Sequence, residues 1–247
     1  MNLKEFELVV KQQHNVYSDI YKQLPSIQKI IPISSSIVVA NFKTEELYNQ
    51  KYVLYVNQFL LKKSKTYINS ILFHEFTHMA DSINLREKYE LKDFKSLMHT
   101  YSEIHASEIE MNIVLSSNPN FNSIDDIVKY DGNISIQSFM DNSLKCVENY
   151  FQFPNKKIDK QYATYHFNIK WLCYFVGRLS SLHKYNIKYE WKFKTLDEDF
   201  KTLFYSFLDK ILNKSYSYND FLDFYNQSRE LTIKKIYDHN IKFQHQR

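Results

Sequence analysis

The chain has 247 residues and a formal net charge of +4, with lysines and acids interspersed rather than grouped in a basic block; that pattern reads as solvated faces and argues against a nucleic-acid surface. Only 2 Gly and 4 Pro stand against 20 Tyr and 19 Phe, so the composition favours helices over turn-rich sheets. The two cysteines, Cys146 and Cys173, do not make a disulfide framework. No apolar stretch of signal-peptide type opens the chain, and the most apolar run, residues 171–177, is too short to span a bilayer. A soluble cytoplasmic protein without membrane or nucleic-acid partners is expected.

Residues 3–24 read as an amphipathic helix, with Phe6, Val9, Val10, Val16, Ile20 and Leu24 near one face. Pro25 and Pro32 then break the pattern. Two stretches rich in β-branched residues, 36–41 and 51–57, are strand candidates. Between them Thr44-Glu45-Glu46-Leu47 can open a short helix. From Ser64 the helical period takes over and runs to about Ile83, with Ile68, Leu72, Phe76, Met79 and Ile83 as its apolar stripe.

That helix contains His74-Glu75-Phe76-Thr77-His78, an H-E-x-x-H motif. Histidines four apart project from one helical face, one turn apart, where two imidazoles can bind one Zn²⁺. Glu75 is placed beside them to take a proton from a water that the metal activates. The apolar stripe lies away from the histidines, so the metal face is expected to look into a cleft. The competing reading is a helix whose histidines are ordinary polar neighbours.

A third histidine in H-E-x-x-H-x-x-G-x-x-H is ruled out, because Asp81 holds the glycine position and Asn84 the histidine position. The alternative set is two histidines and a glutamate from a following helix. Candidates lie in residues 101–111, where Ala106, Ile109, Ile113 and Val114 give a helical apolar face. Glu103 is the first choice, with the small Ala106 one turn on; Glu108 and His105 are the alternatives. Asp81, three residues after His78, either accepts the free N–H of a ligating imidazole or is a plain surface acid.

Beyond Asn120 the motifs fade. Asp125-Asp126 and Asp131-Gly132-Asn133 read as loop, without the spacing of a calcium loop. Helices are expected over 139–151, ended by Pro154, and over 158–183, 196–212 and 218–237. Tyr162, Tyr165 and His166 form the densest cluster of residues able to stabilise an oxyanion, although packing is the ordinary use of a tyrosine here.

The motif with Asp81, followed by Ser102-Glu103-Ile104-His105-Ala106, resembles the glutamate-liganded zincins, or gluzincins. Within them it is most similar to the small intracellular metallopeptidases of bacteria and phages of the ImmA/IrrE type, over residues 35 to 115. Glu103 to Ala106 matches their E-x-x-A pattern, while Ser107 and Glu110 depart from the family pattern beyond that alanine. The resemblance implies Zn²⁺ held by His74, His78 and Glu103, with Glu75 as general base and a peptide or protein as substrate. The expected fold is α+β, mainly helical and zincin-like, with a small sheet before the motif helix. A metallopeptidase core over 1–120 would carry a helical extension over 121–247, packed on it as one domain overall. The alternative function is a non-catalytic, zinc-stabilised binding or regulatory protein of a phage or mobile element.

Overall fold

The computed structural model describes residues 1–35, 38–150, 158–194 and 196–244, without the side chains of 150, 158–168 and 235–244. The first helix, α1 (Leu3–Ile20), begins at a capping box: Asn2 accepts from the Glu5 N–H at 3.0 Å, and Glu5 accepts from the Asn2 N–H at 2.8 Å. Each bond satisfies a backbone donor that the helix start would otherwise leave open. Phe6, Val10 and Tyr17 are buried along one face of α1.

Three short strands come next. β1 (Lys29–Ile33) runs parallel to β3 (Val53–Asn57), with Lys29 opposite Val53; β2 (Ala40–Phe42) runs antiparallel to β3, with Phe42 opposite Leu54. The order is β1-β3-β2, and α2 (Thr44–Tyr48) connects β2 to β3. β1 falls where Pro32 suggests a break. It is an edge strand, and a proline without an N–H is tolerated on an edge. The expected strand over 36–41 is shorter and later, and Ser36 and Ile37 lie outside the described residues.

The motif helix, α3 (Lys65–Leu85), is capped by Ser64, whose Oγ accepts from the Tyr67 N–H at 3.1 Å and donates to the Tyr130 carbonyl. Its apolar stripe is buried as expected at Ile68, Leu72, Phe76 and Met79, with Ile83 half-buried. The opposite face is buried too, from Phe73 to Ser82. An enclosed helix must pair its polar groups internally, and Thr77 illustrates this. Its hydroxyl donates to the Phe73 carbonyl at 2.8 Å and accepts from the Tyr17 hydroxyl of α1 at 3.1 Å.

A helix without a sequence signal in the motifs, α4 (Leu91–Met98), leads into α5 (Tyr101–Leu115). The expected loop around Asp131-Gly132 contains a small hairpin, β4 (Ile127–Lys129) and β5 (Asn133–Ser135), turned at Gly132 with φ +122°. Strands of three residues are too short to show an alternation. α6 (Ile136–Tyr150), α7 (Ile158–Lys184), α8 (Glu198–Leu212) and α9 (Tyr218–Gln244) complete the chain, an α+β and mainly helical fold. Pro154 lies outside the described residues. Phe6 on α1 and Tyr225 on α9 belong to one hydrophobic cluster.

α7 packs along α5 with unusual closeness. A Cβ at Gly177 would fall 2.2 Å from the Ile104 carbonyl oxygen and 2.8 Å from Ser107 Cβ. This crossing brings the polar stripe of α7, Lys170, Tyr174 and Arg178, to the histidines of α3. Among the described residues no helix is long and apolar enough to cross a membrane. Cys146 and Cys173 are free thiols.

Candidate metal centre

His74 and His78 point from one face of α3, as their spacing of four requires. Their Nε2 atoms are 3.2 Å apart. Glu103, in the first turn of α5, brings Oε2 to 3.4 Å from each of them. The three atoms form a nearly equilateral triangle. Zinc bonds of about 2.0–2.1 Å in a tetrahedron require donor separations of about 3.3 Å, so the triangle already has the size of one face of that tetrahedron. Glu103 Oε2 is buried and accepts no hydrogen bond among the described residues. The same three residues form a group able to hold a metal ion.

The outer nitrogen of His78 fixes its tautomer. Ser102 Oγ donates to Asp81 Oδ2 at 2.8 Å, so its contact of 2.8 Å with His78 Nδ1 must be an N–H donated by the ring. His78 Nε2 then carries a lone pair toward the triangle. His74 Nδ1 lies 3.3 Å from Glu110 Oε2, an ion-pair contact without the geometry of a hydrogen bond. Glu110 is held in turn by Arg178 at 3.0 Å and by the Tyr130 hydroxyl at 3.3 Å. Outer partners of this kind orient metal-binding imidazoles and raise their basicity. The Nε2 atoms of two imidazoles and a carboxylate oxygen, converging in a buried site, suit a cation once His74 gives up its proton.

Asp81 therefore sits one group further out than a direct imidazole acceptor. It reaches His78 through Ser102 and also accepts from His105 Nδ1 at 3.0 Å. It is buried, which excludes the surface-acid reading. Glu108, the alternative third ligand, turns away from the histidines. It accepts from Ser180 Oγ at 3.2 Å and lines a separate cavity with His105 and Tyr216. The side chains of Tyr162, Tyr165 and His166 lie outside the described residues.

Among the described residues, the carboxylates of Glu75, Glu103 and Glu110 are buried with the cations Lys170 and Arg178 beside them. Burial alone would lower the pKa of His74, but Glu103 and Glu110 raise it to about 9. In the absence of a metal, a proton on His74 offsets the excess charge. Burial raises Glu103 as well, yet Lys170 and the histidines hold it well below the usual carboxylate range. Glu75 is raised by burial, partly opposed by His78 and His74.

Glu75 Oε2 accepts the Phe42 N–H of the edge strand β2 at 3.1 Å. The carboxylate stands between two hollows. One is walled by Val38, Ala40, Ile71, Trp171 and Tyr174; the other by Asn41, Leu47, Met98 and His99. Lys170 borders both. Ser102, Glu110, Lys170, Tyr174 and Arg178 carry no motif in the sequence. The spacing of four between the last three, which puts them on one face of α7, is the signal that marks them.

No protein-family model, curated protein or solved structure matches the chain.

Proposed function

We propose that the chain is a zinc-dependent metallopeptidase of the gluzincin type, with a zincin-like arrangement of sheet and helices, acting on peptides or proteins in the cytoplasm. The observation that carries this reading is the triangle of His74, His78 and Glu103 with Glu75 beside it at the junction of two hollows. A zinc ion held there supplies Lewis-acid activation of water and of a peptide carbonyl.

The chain's own groups supply the rest. Glu75 takes a proton from the attacking water and returns it to the leaving amine, so that water is consumed and the peptide bond breaks. The Phe42 N–H fixes the orientation of its carboxylate. Backbone groups alternate along a strand, so Ala40 shares the free edge of β2 from which Phe42 reaches Glu75. An extended peptide added to that edge runs past Glu75 with a hollow on either side for its side chains.

The test is Glu75→Gln. The amide oxygen can still accept from Phe42, so fold and zinc content are expected to persist, while peptide cleavage falls at least about a hundredfold, the lower range for general acid–base catalysis. Wild type and variant are incubated with cell lysate, and new peptide termini are compared by mass spectrometry. Identical termini from both, or none from either across metals and pH, would leave the zinc-stabilised binding protein as the reading to adopt.

A further inference from the structure

The two oxygens of Glu103 have different surroundings. Oε2 faces both imidazole Nε2 atoms at 3.4 Å. Oε1 is held by Lys170 Nζ at 2.8 Å, an ion pair that comes from α7. Such charge-assisted bonds are roughly twice as strong as neutral ones. The ammonium is steadied in turn, lying 5.4 Å from the centre of the Tyr174 ring, which packs edge-on against His74 at 5.3 Å. The side chain of Lys170 is about a third exposed and borders both hollows. Neither the motif nor the proposed reaction assigns it a task.

A carboxylate can give a metal one oxygen or both. A hydrolytic zinc site needs three protein donors and an open position, and a Glu103 that offered both oxygens would crowd that position. We propose that Lys170 is a positioning residue that holds Glu103 to a single metal-binding oxygen and so keeps a coordination position open to substrate. The inference rests on the proposed zinc site at His74, His78 and Glu103. It has a second consequence: the ammonium neutralises part of the charge of the carboxylate, so Glu103 donates less and the ion remains a stronger Lewis acid.

The experiment replaces zinc by cobalt(II), whose visible d–d bands are more intense in four-coordinate than in five-coordinate sites. Wild type, Lys170→Met and Lys170→Arg are compared as full-length, cobalt-loaded proteins, with circular dichroism to establish folding. Lys170→Met is expected to bind cobalt and lose intensity in these bands, as Glu103 swings to offer both oxygens. Lys170→Arg, which can still donate to Oε1, is expected to keep the wild-type bands. If Lys170→Met does not fold, Lys170→Ala is read in its place, since alanine suits a helix. Wild-type bands in the methionine or alanine variant overturn the proposal, as does an equal loss in the arginine variant. A wild-type protein that binds neither cobalt nor zinc refutes the metal site itself, an outcome separate from the other two.

Discussion

Burial would by itself hold His74 neutral, yet the carboxylates of Glu103 and Glu110 raise its pKa to about 9 against an ordinary 6.5. A metal ion and this proton compete for the same nitrogen. At neutral pH, zinc binding should therefore release about one proton per ion, and apparent affinity should rise with pH until about 9. The stability of the metal-free protein tracks the same group. A folded-state pKa above the unfolded one contributes stability that is complete below 6.5 and is lost as pH rises through about 9. The Tm of the metal-free protein should fall across that window, and zinc should suppress the fall. Calorimetric titration in buffers of different ionisation enthalpy counts the released protons, and a count of zero contradicts the protonated His74.

At the scale of elements, the site depends on how closely α7 lies on α5. In most exposed helix positions glycine is worse than alanine by roughly 0.5–1 kcal/mol, so Gly177→Ala would ordinarily stabilise. Here the added methyl meets backbone, the Ile104 carbonyl at 2.2 Å and the Glu108 nitrogen at 2.9 Å, and neither can swing aside as a side chain would. Overpacking of this kind costs about 1–3 kcal/mol. Ile104 adjoins Glu103, and α7 carries Lys170 and Arg178, so the displaced helix should loosen zinc as well. Urea unfolding of Gly177→Ala checks the first effect and a competitive zinc titration the second. Unchanged values in both would mean that the two helices can part without disturbing the site.

Across the whole molecule, legibility in the sequence tracks how local each feature is. His74, Glu75 and His78 lie within one helical turn, so their spacing alone predicts a shared face. The burial of Ile68, Leu72, Phe76 and Met79 comes from the same periodicity. Glu103 needs a second helix, and the sequence supplied a short pattern that favoured it over Glu108. Ser102 and Glu110 were not legible as partners of the histidines, because their contacts depend on the crossing of α3 and α5. Lys170 and Arg178 lie further still along the chain, and the packing of α7 along α5, close at Gly177, brings them in. β1 was hidden by Pro32, which an edge strand accommodates, and β4 and β5 by having three residues each. In the proposed site His74, His78 and Glu103 hold one zinc ion between α3 and α5. The measurement that tests this most directly is zinc content by elemental analysis after zinc-replete purification, on wild type, Glu103→Ala and Glu108→Ala. About one zinc per chain is expected in wild type and in Glu108→Ala, as a two-histidine, one-carboxylate set requires, and a large loss in Glu103→Ala. No zinc in wild type, or a loss confined to Glu108→Ala, would contradict it.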